Sequence, residues 1–186
     1  MNWKAAVENG AESYHHMGTH AGALEPVPPG KVTVLHECEG RWFSAFMPFA
    51  PTAAEAMADD MAAALSMTIP GLGEAELSGM LIAGVFPQLM PALLPTGATC
   101  FRWIPTGPGT HDAHATVPVP RVVRQSPDSE SYLRLSRVWP ELIQGEDLIA
   151  IRGSSAGWRP SPSRPAGASR IWSVRCGSSS DIRPIV

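Results

Sequence analysis

The order of periodicities along the chain predicts an α+β fold, an antiparallel sheet followed by one long helix. Between Met80 and Pro120 the sequence runs as short apolar or alternating segments broken by Pro, Gly and Thr, the pattern of a strand meander. After Ser126 and Pro127 the period becomes helical. Tyr132, Leu135, Trp139, Leu142, Ile143, Ala150 and Ile151 fall on one side, and Glu130, Arg134, Arg137, Glu141, Gln144 and Arg152 on the other. Pro140 lacks the N–H of a helical bond and is expected to kink that helix.

The elements follow in order. Asn2 is placed to cap a first helix whose apolar stripe is Trp3, Ala6, Val7, Gly10, Tyr14 and Met17, with Glu8, Glu12 and His15 on another face. Gly18, Gly22 and the prolines at 26, 28 and 29 stop it soon after Met17. Lys31 to Leu35 and Arg41 to Pro48 are rich in β-branched and aromatic residues and read as two strands about a turn at Gly40. Thr52 and Glu55 form a capping box before an Ala- and Met-rich helix ending near Met67, with Pro70 and Gly71 closing it and Asp59 and Asp60 on its wet face. The meander then divides into Met80–Phe86, Leu89–Leu94, Thr99–Ile104 and His114–Val119. From Gly153 the chain turns Ser-, Pro-, Gly- and Arg-rich. One domain is therefore expected over residues 1–160, with an irregular or disordered tail over 161–186.

Composition narrows the functions. The 186 residues, 44% of them hydrophobic, suffice for one core and one site. The net charge of -3, with 14 Lys and Arg dispersed along the chain, offers no basic block to follow a phosphate backbone, so no nucleic-acid partner is expected. The uncharged run from Gly79 to Phe101 is divided by Pro87, Pro91 and Pro95 into pieces shorter than the ~20 residues of a spanning helix, so no membrane partner is expected either. No secretory leader pattern opens the sequence, which suggests a cytoplasmic protein. Cys38, Cys100 and Cys176 form no C-x-x-C pair and read as reduced thiols.

The densest set of metal-ligand types is Glu12-Ser-Tyr-His15-His16-Met-Gly-Thr-His20. On an unbroken helix His15 and His20 lie about 140° apart, at about 100° per residue, so one ion takes both only if the backbone turns between them. Gly18 permits that turn. The plainer reading is two surface or core histidines near a helix end. Glu146 and Asp147 both lean toward the apolar side of the last helix, and a buried carboxylate needs a partner, whether a metal or an arginine. Periodicity does not choose between the two. Two histidines and one carboxylate with open positions make the facial triad of non-haem Fe(II) oxygenases.

The run Asn2-Trp3-Lys4, Glu8-Asn9, Glu12-x-Tyr14-His15 and His20 resembles the opening of the catalytic domain of Rieske-type aromatic-ring-hydroxylating oxygenase alpha subunits. The resemblance continues through Val85-Phe86-Pro87, Arg102-Trp103-Ile104-Pro105-Thr106-Gly107-Pro108, Trp139, Gln144, Glu146-Asp147 and Arg152-Gly153, roughly residues 2 to 160. It implies a helix-grip (Bet v 1-like) fold, a sheet curving around the long C-terminal helix. It implies that His15 and His20 bind mononuclear Fe(II), with Asp147 rather than Glu146 as third ligand. Glu12 would link that iron to the cluster of a neighbouring subunit, and Asn9 would orient water or substrate near it. His16, His36, His111 and His114 match no family ligand and are expected to be solvated or hydrogen-bonded.

The activity implied is dioxygen-dependent hydroxylation of an apolar or aromatic substrate, with electrons from a reductase or ferredoxin through a Rieske cluster. That [2Fe–2S] cluster needs Cys-x-His and Cys-x-x-His pairs, which this sequence lacks; His36-Glu-Cys38 is the wrong arrangement. The cluster is therefore expected on a missing domain or a partner chain, and family members are commonly homotrimers. Val85, Phe86, Leu93 and Phe101 are expected to line a substrate pocket. The competing reading is a non-catalytic helix-grip domain that holds a hydrophobic ligand, its metal site vestigial or occupied by zinc.

Overall fold

Period-two alternation along six successive strands builds most of a sheet that is seven-stranded among the described residues. In the computed structural model the described residues are 3–36, 40–53, 67–107, 109–157 and 173–177. The strands are β1 (Val34–Leu35), β2 (Trp42–Pro48), β3 (Gly79–Val85), β4 (Leu89–Leu94), β5 (Gly97–Gly107), β6 (Thr110–Pro118) and β7 (Ser173–Gly177), in that spatial order. Each of the first five pairs antiparallel with the next, whereas β7 runs parallel to β6. β7, within the stretch 161–186 expected to be an irregular or disordered tail, pairs along the β6 edge from Ser173 to Gly177. The rest of that tail lies outside the described residues, as do Asn2, Glu55, Asp59 and Asp60.

Among the described residues the helices are α1 (Trp3–Gly10), α2 (His16–Thr19), α3 (Glu74–Leu77), α4 (Arg121–Arg124) and α5 (Ser129–Gly157), with a 3-10 turn at Gly30–Val32. The α+β class and the long helix after the meander stand as expected, and Pro140 lies inside α5, buried. Strand boundaries move by a few residues, and Lys31 to Leu35 is mostly the 3-10 turn with only two residues of strand.

One face of the sheet is the core. Ala45 and Met47 of β2, Met80 of β3, Met90 and Ala92 of β4, Phe101 and Trp103 of β5, and Ala113, Ala115 and Val117 of β6 are all buried. Register places Phe101 opposite both Met90 and Ala115, and Trp103 opposite Ala113, so one face is continuous across the strands. Trp103 is 1% exposed and stacks on Phe101 with ring centroids 6.0 Å apart. Truncating such a side chain costs about 3–5 kcal/mol. α1 covers this face through Ala6, with Trp3, Ala5 and Val7 packed around it, and Ile151 of α5 joins the same cluster. The end of α1 approaches so closely that a Cβ at Gly10 would stand 2.5 Å from Met90 Cε.

α1 ends at Gly10, well short of Met17, and the expected apolar stripe ends with it. Tyr14 and Met17 are 80% and 61% exposed. The chain instead turns back on itself. The Ser13 hydroxyl donates to the Gly30 carbonyl at 3.1 Å, and the Gly30 N–H donates to Glu25 Oε2 at 2.9 Å. Gly30 is required here, because a Cβ would meet Ser13 O at 2.3 Å.

Candidate metal centre

The turned-back segment after α1 brings His15 and His20 to one place by a route other than the expected one. α2 is a single helical turn containing Gly18, with His15 at its N-cap and His20 at its C-cap. Gly18 has no positive φ. The helix leaves its regular path at His20 (φ -111, ψ 28), whose carbonyl accepts N–H groups from Ala23, Leu24 and Glu25. A break at the second histidine, not at the glycine, brings the two rings to a centroid separation of 4.9 Å.

Asp147 reaches these rings from α5. Its Oδ1 lies 2.9 Å from His20 Nε2 and 3.3 Å from His15 Nε2. One donor atom from each of His15, His20 and Asp147 falls within 4.8 Å of the others. Two ligands at right angles about an ion with bonds of about 2.1 Å are about 3 Å apart, so the spacing suits a shared ion. The donor set, two imidazoles and one carboxylate with the remaining directions open, suits Fe(II).

Each ring is held from behind by a second carboxylate. His15 Nδ1 lies 2.6 Å from Glu12 Oε1, and Glu12 Oε2 also accepts the Tyr14 N–H. His20 Nδ1 lies 2.7 Å from Glu146 Oε2. Nδ1–H donation to a carboxylate fixes the tautomer and leaves Nε2 as the ligating atom. Asp147 is braced as well: Asn9 Nδ2 donates to Oδ1 at 2.7 Å and Gln144 Nε2 to Oδ2 at 2.9 Å.

The electrostatics follow from this packing. Burial works to raise the Asp147 pKa, but hydrogen bonds to His15 and His20 outweigh it and bring it down to about 2. Burial also works against charge on His15, yet Asp147 and Glu12 raise its pKa above 6.5; His20 is raised in the same way by Asp147 and Glu146. His16 goes the other way. Burial, helped by its two histidine neighbours, lowers it to about 4, and its Nδ1 is buried with no hydrogen-bond partner.

All five residues singled out from sequence, Asn9, Glu12, His15, His20 and Asp147, thus meet in one cluster. Asn9 spends its amide on Asp147, where the expectation was water or substrate. Sequence reasoning quoted Gln144 in the family resemblance but gave it no role, and placed it on the wet face of the helix, whereas it is buried. The available signal was spacing, since Gln144 stands three residues before Asp147 and so shares its face. Of the histidines expected to be solvated or hydrogen-bonded, His16 and His111 are buried, both 3% exposed, while exposed His36 bonds Ser44 Oγ at 2.7 Å.

The expected pocket lining is corrected. Val85 and Phe86 are exposed at the far end of β3, Phe101 belongs to the packed core, and Leu93 lines a cavity on the opposite face of the sheet. The reason is the pleat: Leu93 alternates with the inward residues Ala92 and Leu94. On the inner face a cavity of about 110 Å³ lies between the sheet and α5, walled by Leu24, Val27, Met80, Val117, Tyr132 and Trp139 among others.

The chain is similar in structure to the quaternary ammonium Rieske monooxygenase CntA, solved with an inhibitor. At 15% sequence identity the match covers 84% of this chain and 37% of that one, with a TM-score of 0.49. No curated protein matches the chain. Among the described residues no helix is long and apolar enough to cross a membrane. The profile of the family described as ring hydroxylating alpha subunit (catalytic domain) matches residues 1–170. With nearly the whole chain so matched, this protein belongs to the ring-hydroxylating alpha subunit catalytic-domain family.

Proposed function

We propose that this chain binds mononuclear Fe(II) through His15, His20 and Asp147 and hydroxylates an apolar or aromatic substrate, with electrons supplied by a Rieske cluster on a separate domain or chain. The observation that carries the reading is the convergence of one donor atom from each of His15, His20 and Asp147 within 4.8 Å, inside a family of ring-hydroxylating enzymes. Iron bound there supplies dioxygen activation. The chain's own residues hold the ligand atoms, shape the pocket and keep water out. Asn9 and Gln144 fix the rotation of Asp147, so its Oδ1 stays aimed at the two imidazoles. Glu12 orients His15, and as the more exposed of that pair, at 32% of its side chain against 13%, it is placed to hydrogen-bond a neighbouring cluster domain and so bridge that domain to His15.

The apolar cavity is the place for substrate. Its walls include Pro140, seven residues or about 10 Å of helix from Asp147, and Leu24, four residues after His20. At about 110 Å³ it is smaller than the ~150 Å³ cavity that takes benzene, so a ring substrate requires its walls to give. A reductase or ferredoxin, dioxygen and a homotrimeric arrangement complete the proposed system.

Anaerobic Fe(II) loading tests the site. Wild type is expected to take up one Fe(II) per chain, and the folded triple variant His15→Ala, His20→Ala, Asp147→Ala none. Full iron retention by that variant would refute the assignment. Uptake of zinc alone, with no peroxide-driven hydroxylation by the iron-treated protein, would favour a ligand-holding domain instead.

A further inference from the structure

The two adjacent carboxylates of α5 grip one imidazole from opposite sides. Asp147 Oδ1 stands 2.9 Å from His20 Nε2, and Glu146 Oε2 stands 2.7 Å from His20 Nδ1. Neighbouring residues on a helix diverge by about 100°, so two side chains that leave the helix in different directions close again around one ring. The shorter aspartate reaches the near nitrogen, and the extra methylene of the glutamate reaches past the ring to the far one. Their exposures differ accordingly: the Asp147 side chain is 7% exposed and that of Glu146 29%. His20 itself is 1% exposed, so a proton on Nδ1 has little access to water and needs a protein acceptor.

We propose that Glu146 is a positioning residue for the metal centre: by accepting the Nδ1 proton of His20 it holds that ring in the one tautomer and orientation that presents Nε2 to the ion. This inference rests on the metal-binding reading above and assigns Glu146 a role distinct from that of Asp147. It also makes the centre two-fold in its support, since Glu12 does for His15, at 2.6 Å, what Glu146 does for His20. The two supports come from different parts of the chain, Glu12 from the segment that bears the histidines and Glu146 from α5. Seating α5 therefore delivers a ligand and the support of another ligand in one step. Without Glu146, a neutral His20 is free to place its proton on either nitrogen, and part of the population offers no lone pair at Nε2.

The test uses the full 186-residue chain and Co(II) as probe, with affinity read by competition against a chromogenic chelator. Proton NMR of the loaded protein reads the exchangeable Nδ1–H resonances of the two ligating rings, shifted by the paramagnetic ion. Wild type is expected to show both resonances. Glu146→Ala is expected to bind Co(II) about 10–100-fold more weakly and to lose one resonance to solvent exchange. Glu146→Gln, whose amide oxygen still accepts that proton, is expected to recover the resonance and part of the affinity. Glu130→Ala, an exposed change on the same helix, should alter neither. If Glu146→Ala does not fold, Glu146→Asp, one methylene shorter, is expected to lose the same resonance. A variant lacking the Glu146 reach that keeps both resonances and binds Co(II) within about twofold of wild type overturns the proposal while leaving the metal site standing. Failure of wild type to bind Co(II) at all removes the metal reading, and this inference with it.

Discussion

Replacing Asp147 by Asn keeps the shape of the side chain and removes the charge on which the centre converges. In the metal-free chain the Asp147 carboxyl titrates at about 2, against an ordinary 3.8. Each pKa unit is worth about 1.4 kcal/mol, so the folded state gains about 2–3 kcal/mol from this one anion. The folded pKa is depressed, so the gain is complete above pH 3.8 and is lost as pH falls toward 2. An Asn amide also turns an N–H toward Asn9 Nδ2 or Gln144 Nε2, which donate to the two oxygens now, and an unsatisfied buried donor adds about 1–3 kcal/mol. The expected loss is about 4 kcal/mol in all. For a chain of this size each kcal/mol moves Tm by about 2–4 °C, so Asp147→Asn should unfold about 8–16 °C below wild type. The measurement is thermal unfolding followed by near-UV circular dichroism at pH 6.5 with chelator present. The gap should narrow as pH is lowered, and added Co(II) should raise the Tm of wild type much more than that of the variant. Melting within 2 °C of wild type at pH 6.5, with no change in the gap toward acid, would refute the argument that the anion is held by its two histidines.

His16 predicts an acid weakness, because its folded pKa of about 4 lies below the ordinary 6.5; the contribution is intact above pH 6.5 and lost toward pH 4, to a limit of about 3 kcal/mol. His16→Leu should flatten the fall in Tm over that range, and an unchanged fall would count against it. His15 and His20 are raised instead, so what they add to the metal-free fold is present below pH 6.5 and fades as pH rises through their folded values. Chelator-treated protein should lose stability above pH 6.5, and added metal should restore it. Glu12→Gln should leave iron stoichiometry unchanged while slowing single-turnover reduction by an added Rieske protein; unchanged reduction at full iron loading would sink the relay role. Gly97→Ala places a Cβ 2.3 Å from Tyr132 Oη, which now donates to the Thr96 carbonyl at 3.3 Å, and should cost about 1–3 kcal/mol in urea unfolding. Gly18→Ala meets nothing within 4 Å and should be neutral or stabilising, so equal losses in the two variants would contradict the packing described.

By itself the sequence determined the elements whose physics is local. The apolar run Leu89–Leu94 is a strand with those same bounds, and the change of period after Pro127 is the start of α5 at Ser129. Residue chemistry also gathered Glu12, His15 and His20 within nine positions, because a short segment with a turn in it needs no distant partner to bring them near. Three things were decided only in the tertiary structure. The close approach of Gly10, at the end of α1, to Met90 of β4, where a Cβ would stand 2.5 Å from Met90 Cε, is a contact that no helical propensity contains. The division of labour between Glu146 and Asp147 depends on where His20 sits relative to α5, a contact across 127 residues for Asp147, and periodicity saw only two carboxylates leaning inward. Gln144 was read as wet, and His16 as solvated or hydrogen-bonded, because a polar side chain counts as surface in any hydrophobic pattern. Both are buried, Gln144 with a carboxylate that accepts its N–H and His16 as the neutral ring that leaves the charge to its two neighbours.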